Sequence, residues 1–140
     1  MLRPLLGITI LVFLSGCSGG QLSSPPKADD LTTASDVYIF RTSSMIGGAW
    51  SYTIGIDYQD FVKLGCGQYV HIKVDSKPHV LTVKSPKQSF IGTAEKSMEF
   101  ECQPNKNVYI FVWHGITTNI KMLSDEEGAK LVKKYKRINL

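Results

Sequence analysis

The chain has 140 residues, of which 43% are hydrophobic and 20% are charged, with 12 glycines, 6 prolines and 3 cysteines. That length supplies one domain of ordinary size, and the hydrophobic fraction together with a formal net charge of only +4 excludes a disordered polymer. Three cysteines are too few for a small scaffold that is held together by disulfides.

The first segment has the composition of an export signal. Arg3 precedes an apolar run from Pro4 to Leu14, which is shorter than the roughly 20 residues that a membrane-spanning helix needs. A positive start, a short apolar stretch and then small residues are typical of a secretory signal peptide. This first segment is therefore predicted to be removed from the mature protein.

The end of this signal resembles the lipobox of bacterial lipoproteins. Leu14, Ser15 and Gly16 stand before Cys17, which matches a large aliphatic residue and two small residues before an obligatory cysteine. The resemblance implies cleavage between Gly16 and Cys17, which removes residues 1–16 as the signal peptide. It also implies acylation of Cys17 and a stable membrane anchor, since each buried methylene contributes about 0.8 kcal/mol. In such lipoproteins, an aspartate directly after the cysteine favours the inner membrane. Because this chain has Ser18 there, the resemblance implies attachment to the outer membrane, facing the periplasm. An ordinary secretory signal with an incidental cysteine is the alternative.

The next residues, 17–35, are rich in serine, glycine, proline and small polar residues. This composition is typical of a flexible segment, stiffer at Pro25 and Pro26. It predicts that residues 17–35 consist of the cysteine, whose acylation the lipobox resemblance implies, and a tether that holds the folded domain, residues 36–140, away from the lipid surface.

The positive charge is concentrated at one end of the chain. Once Arg3 leaves with the signal, 15 basic and 12 acidic residues remain. Five of these bases lie within the last 11 positions: Lys130, Lys133, Lys134, Lys136 and Arg137. The body of the domain therefore gives no support for nucleic-acid binding. The terminal bases either contact anionic headgroups or form the solvated face of a docked helix.

Short apolar runs separated by turn residues follow one another through the domain. The predicted strands cover 37–40, 49–58, 60–64, 68–74, 79–84, 98–102, 108–113 and 116–123. Val70, Ile72 and Val74 lie two apart, which is the period of a half-buried strand, whereas 108–113 is apolar nearly throughout and is predicted to be covered on both faces. About eight strands at this spacing predict a mainly β fold, an antiparallel β-sandwich or small barrel.

A helix over 124–138 is predicted to end the domain. Ser124 is the expected N-cap and Glu127 occupies the capping-box position. Acids fill the first turn and bases the last, as the helix dipole favours, and Gly128 is expected to weaken the helix. The predicted apolar stripe consists of Leu131, Tyr135 and Ile138.

The order of these segments resembles a known family. Four stretches carry the resemblance: VYIFRTSSMIGGAWSYTIGIDYQDFVKLGCGQYVHIKV, KPHVLTV, NVYIFVW and MLSDEEGAKLV. Together they resemble the bacterial lipoprotein family called domain of unknown function 2846, over about Val37 to Lys134. The chain departs from the family pattern at Asp57-Tyr58, where the family has Asp-Gly, and at Lys77-Pro78-His79, where it has Pro-Gly-x-His. The resemblance implies a β-sandwich like small carbohydrate- or surface-associated modules, and no known reaction.

Cys66 and Cys102 remain if Cys17 is acylated. Two cysteines in an oxidising compartment predict a possible disulfide, which would stabilise the fold by on the order of 4 kcal/mol. Two separate buried thiols are the equal alternative, because cysteine also behaves as a small hydrophobic residue.

The three histidines show no spacing typical of a metal site, so no metal and no cofactor is predicted. His71 is expected on the solvent side of its strand, His79 at a turn that it braces, and His114 at a strand end.

An aromatic group offers a candidate binding surface. Trp50, Tyr52, Tyr58 and Phe61 crowd one predicted hairpin and would suit a sugar or a partner protein. The alternative is that they fill the core and its cross-strand pairs.

These patterns predict a lipid-anchored, non-enzymatic lipoprotein of the bacterial envelope, attached to the membrane through Cys17, with an envelope protein or glycan as partner. One alternative is a structural or stress-related lipoprotein. Another is a periplasmic hydrolase that uses His79 or His114 with a nearby carboxylate.

Overall fold

The structure is a computed structural model that describes residues 19–43, 50–85, 95–115 and 117–140. The predicted signal peptide, the lipobox and Cys17 lie outside these residues. Within the described ranges, none of the helical structure is both long enough and apolar enough to cross a bilayer.

The chain folds into two five-stranded sheets, which form the predicted mainly β sandwich. The elements are β1 (Gly20–Gln21), β2 (Ser35–Arg41), β3 (Tyr52–Ile56), β4 (Gln59–Leu64), β5 (Gln68–Val74), β6 (Pro78–Lys84), β7 (Glu95–Glu101), β8 (Asn107–His114), β9 (Thr118–Leu123), α1 (Asp125–Lys134) and β10 (Lys136–Arg137). Sheet A has the strand order β1-β4-β3-β6-β7, and sheet B has the order β10-β5-β2-β8-β9. The described residues thus form ten strands, where the sequence predicts about eight, because β1 and β10 are too short to show a hydrophobic period.

Sheet A is antiparallel, whereas sheet B contains two parallel pairs, β2 with β8 and β10 with β5. The sandwich that the sequence predicts is confirmed, and these two pairs depart from its predicted antiparallel arrangement. Two strands that are joined by a hairpin turn must run antiparallel. No hairpin joins β8 to the preceding strand of its own sheet, β5, because β6 and β7 of the other sheet lie between them in the chain. The direction of β8 is consequently not fixed by a turn.

The main core lies between the two sheets. Most of the longer strands contribute residues two apart to it, and on β5 these are the predicted Val70, Ile72 and Val74. β8 is covered on both faces, as its continuous apolar sequence predicts. Ile110 belongs to the core between the sheets, and Tyr109 belongs to a second cluster beneath α1.

The hairpin between β3 and β4 turns through Asp57 and Tyr58, with φ of 50° and 67°. Positive φ at both central residues is the geometry of a type I′ turn, in which the second position usually holds glycine. A hydrogen bond to the neighbouring strand β6 stabilises this turn, because Oδ1 of Asp57 accepts from the backbone N–H of Val80 at 3.0 Å. The tight hairpin therefore forms although Tyr58 stands where the family pattern has glycine.

Helix α1 begins with the predicted capping box: the Ser124 hydroxyl accepts from the Glu127 N–H, and the Glu127 carboxylate accepts from the Ser124 N–H. The helix ends at Lys134, four residues before the predicted end, because Lys136–Arg137 pairs with β5.

Gly128 is buried, and a Cβ at this position would lie 2.1 Å from the Tyr109 ring. The glycine thus permits the helix to lie close on sheet B.

Residues 19–34 differ from the flexible tether that their composition predicts. β1 pairs with β4, and the Leu22 N–H donates to the Phe61 carbonyl at 2.8 Å. Farther along, the Asp29 N–H donates to Asp75 Oδ1 at 2.7 Å, before the chain enters β2. The segment therefore follows the side of the sandwich where β4 and β5 lie, since its backbone groups find partners there.

Candidate binding surface

The outer face of sheet B carries a row of rings that α1 covers only in part. The registers of β5, β2 and β8 place His71, Tyr38 and Tyr109 side by side across three strands. Tyr109 is buried, whereas Tyr38 and His71 are half-buried, and the neighbouring row holds Lys73 and Asp36. We call Asp36, Tyr38, His71 and Lys73 the open strip.

The rings of this row stand on the sheet and stack against one another. The Tyr38 and His71 centroids are 4.4 Å apart with planes inclined by 6°, and those of Tyr38 and Tyr109 are 5.0 Å apart at 22°. Neighbouring rings therefore occupy both faces of Tyr38, so a ligand can reach this half-buried residue only at its ring edge and hydroxyl. Burial, followed by the negative charge of Asp36, raises the pKa of Tyr38, so this hydroxyl stays a hydrogen-bond donor at neutral pH.

Polar contacts fix the histidine of the open strip. Its Nε2 lies 2.6 Å from Asp36 Oδ1, and its Nδ1 lies 3.3 Å from Arg137 Nη2. A guanidinium can only donate, so Nδ1 of His71 accepts and Nε2 carries the proton that is donated to Asp36. Burial raises the pKa of Asp36, but hydrogen bonds from Lys73 and His71 and the positive charge of Lys73 outweigh it and lower the pKa, which keeps the carboxylate ionised.

A cleft of about 330 Å³ opens beside the open strip, at the edge of sheet B. The residues that line it are Pro25, Pro26, Lys27, His71, Ile72, Lys73, Arg137, Ile138 and Leu140. The charged side chains among these described residues are all basic. The open strip and the cleft together can hold a polar or anionic group by hydrogen bonds and charge, beside apolar surface from the prolines.

The sequence predicts only part of this surface. His71 lies on the outer face of its strand, as predicted, although its side chain is only 18% exposed because Tyr38 and Asp36 pack against it. Its juxtaposition with Tyr38 depends on β2 pairing with β5, two strands that are separated by two strands of the other sheet. Local hydrophobic patterns do not encode that pairing, so Asp36 and Tyr38 were missed.

The predicted aromatic platform does not form. Phe61 and Tyr52 are fully buried, Tyr58 is 80% exposed at the hairpin turn, and Trp50 is half-buried. The alternative, that the group fills the core, holds for Phe61 and Tyr52. The Tyr52 ring lies 4.6 Å from the guanidinium carbon of Arg41, a buried base that the sequence did not indicate. The four aromatics therefore belong to three separate environments.

His79 braces a turn, as predicted. Its Nδ1 lies 2.7 Å from Asp57 Oδ2 and its Nε2 lies 2.8 Å from the Asp75 carbonyl oxygen, and the ring is buried. His114 lies at the end of β8, as predicted, with the Trp50 ring edge-on at 5.8 Å. Both nitrogens of His79 are thus engaged in holding the β3–β4 hairpin to its neighbours.

Cys66 and Cys102 are not joined by a disulfide. Cys66 precedes Gln68 at the start of β5, whereas the Cys102 thiol interacts with Ser35, which pairs with Val74 at the far end of β5. Six residue steps along a strand span about 20 Å, far beyond the roughly 7 Å between Cα atoms that a disulfide tolerates. The alternative of two separate buried thiols holds for their separation, but only Cys102 is buried and Cys66 is half-buried. Burial raises the pKa of Cys102 to about 11.

The parts of the chain that the structure describes contain no group of three or more histidine, cysteine, aspartate or glutamate side chains placed to bind a metal. In comparisons with known proteins, no family model, no curated protein and no solved structure matches this chain. The resemblance to domain of unknown function 2846 therefore remains a prediction that rests on the residues quoted above.

Proposed function

We propose that this chain is a lipid-anchored lipoprotein of the bacterial envelope, acylated at Cys17, whose sandwich is a non-enzymatic binding module for an envelope glycan or protein. The outer membrane, facing the periplasm, is its proposed location. The lipobox-like residues before Cys17 and the short apolar run ahead of them support the anchor.

The single observation that carries the binding role is the open strip. It presents a tyrosine hydroxyl, an ionised carboxylate and a lysine on a sheet. Stacked rings hold the tyrosine, and an ion pair of 2.9 Å joins the carboxylate to the lysine. Preorganised polar groups on strands bind without the cost of ordering long side chains. Because the ring faces are occupied, a ligand meets hydroxyl and charged groups, which favours a hydroxyl-rich glycan or a polar protein segment.

The experiment has two arms. Intact mass of the protein purified from membranes, beside a Cys17→Ala variant, should show loss of residues 1–16 and added acyl chains only when Cys17 is present. An unacylated, soluble protein would refute the anchor.

The second arm tests the surface by capture from detergent-solubilised envelope. A Tyr38→Phe/Asp36→Asn variant removes the hydroxyl and the charge while keeping both shapes, and should retain less than about a tenth of the glycan or protein that the parent captures, since two charge-assisted or neutral hydrogen bonds are lost. Tyr58→Phe, an exposed tyrosine on the other sheet, is the matched control. Equal capture by both variants would refute the open strip as the binding surface.

A further inference from the structure

The first described residue is held against the body of the domain. The Gly19 N–H donates to Gln68 Oε1 at 3.1 Å. A Cβ at Gly19 would lie 2.2 Å from the Lys63 carbonyl oxygen and 2.6 Å from Ile138 Cδ1. Gly19 is therefore packed into the side of the sandwich where β4, β5 and β10 come together.

This contact limits how far a lipid anchor can lie from the domain. Cys17 precedes Gly19 by two residues, and an extended chain advances at most about 3.5 Å per residue. Two residues of chain consequently span at most about 7 Å. Acyl chains on Cys17 would start at this side of the sandwich.

Basic side chains surround the same point. Lys63 lies opposite Gly20 in the sheet, and Lys136 lies opposite Gln68. We call the following four exposed residues the basic edge: Lys27, Lys63, Lys136 and Arg137.

Two carboxylates on the neighbouring strands are already paired. Asp36 lies 2.9 Å from Lys73 Nζ, and Asp60 lies 2.8 Å from Lys84 Nζ. The charge of the basic edge is therefore not cancelled by these acids. Two exposed leucines add apolar surface beside it: Leu22, 48% exposed next to β4, and Leu140, 40% exposed at the cleft.

We propose that the basic edge is a membrane-docking surface, which lays the domain directly on an anionic phospholipid bilayer in one fixed orientation. The orientation rests on the proposed anchor at Cys17, since that anchor and the basic edge meet at Gly19. Each lysine or arginine close to anionic headgroups strengthens binding about fivefold, and half-exposed leucines beside them suit the headgroup boundary. The open strip then lies beside the bilayer, within reach of surface-bound ligands.

Acetylation of lysine amines, read by mass spectrometry, tests the orientation. The full membrane-purified protein is reconstituted into vesicles of phosphatidylcholine alone or with phosphatidylglycerol. Anionic vesicles should slow acetylation of Lys27, Lys63 and Lys136 about fivefold or more, and leave Lys96 and Lys106 unchanged. If anionic vesicles slowed acetylation equally at both sets of lysines, or at neither set, the proposal would be overturned.

Charge-reversal variants provide the second arm. Lys63→Glu/Lys136→Glu should abolish the protection of Lys27, whereas the matched Lys96→Glu/Lys106→Glu should preserve it. In a further sample, inorganic phosphate is added to protein on neutral vesicles. If it protects the lysines as much as phosphatidylglycerol does, the basic edge binds a soluble anion, and membrane docking is overturned.

Intact mass of each sample separates this proposal from the proposed anchor. Acylated protein without lysine protection would refute the orientation and leave the anchor standing. Unacylated protein that still shows protection on anionic vesicles would refute the anchor and support the basic edge as a peripheral membrane site.

Discussion

Replacement of Gly128 by alanine distinguishes a helix that is docked on sheet B from an isolated helix, because the two cases predict opposite signs for the change in stability. In an isolated helix, alanine is about 1 kcal/mol more favourable than glycine. In this fold, the Cβ of Gly128→Ala would lie 2.1, 2.3 and 2.5 Å from Cγ, Cδ1 and Cδ2 of Tyr109. Ordinary carbon contacts are about 3.5–4.0 Å, so either the helix or the ring must move by more than about 1 Å.

The ring has little freedom to move, because Tyr109 stacks on Tyr38 at 5.0 Å and its hydroxyl accepts from Asn107 Nδ2 at 3.0 Å. Overpacking of this kind costs about 1–3 kcal/mol, and the upper part of that range applies where the neighbour cannot yield. Subtracting the gain in helix propensity leaves a net destabilisation of about 1–2 kcal/mol. For a domain of this size, that lowers Tm by about 4–8 °C.

Urea unfolding and thermal melts, followed by circular dichroism, measure the effect. Ala129→Gly, at the exposed neighbouring position, should cost about 1 kcal/mol through propensity alone. On a Tyr109→Ala background the ring is gone, so Gly128→Ala should become neutral or stabilising there. A rise in Tm on introducing Gly128→Ala into the otherwise unchanged protein would refute the packing of α1 on sheet B.

Three further results are expected. Burial raises the pKa of Asp57, but the hydrogen bond from the Val80 N–H and the contact with His79 outweigh it and lower the pKa. The stability that Asp57 contributes is thus present above about pH 4 and is lost as the pH falls through its folded-state pKa, so Asp57→Asn should flatten the acid limb of stability measured by urea unfolding. Alkylation without reductant should label half-buried Cys66 in the native protein and buried Cys102 only after denaturation, whereas two unlabelled cysteines in denaturant would restore the disulfide. Phe61→Ala should cost about 3–5 kcal/mol of folding free energy and Tyr58→Ala less than about 0.5 kcal/mol, and similar costs would contradict their assigned environments.

The strand pattern was predictable because burial on one face of a strand leaves a period of two in the sequence. β5 coincides with the predicted 68–74, and the continuous apolar run of β8 correctly indicates cover on both faces. The capping box of α1 was equally readable, since its atoms come from residues three apart. Each of these features depends on neighbours in the chain.

The candidate surface was not predictable for the opposite reason. Tyr38 and His71 are 33 positions apart in the chain, and only the pairing of β2 with β5 brings their rings into contact. A group that is close in sequence, such as Tyr58 and Phe61, was instead separated, because one residue occupies a turn and the other faces the core. Proximity along the chain is therefore a poor guide to a shared surface in a sandwich whose strands alternate between sheets.

The N-terminal segment shows why composition alone misleads about flexibility. Serine, glycine and proline lower the propensity of a segment to form helix and strand interiors. Such a segment can still be ordered where its backbone N–H groups donate to carbonyl oxygens of the folded domain. β4 would be an unprotected edge of sheet A, and β1 covers that edge with the donor and acceptor groups it requires. If Cys17 carries the proposed anchor, the same contacts leave two residues between that anchor and the body of the domain in place of a long tether. The proposed position of the domain then changes from suspended above the bilayer to lying on it.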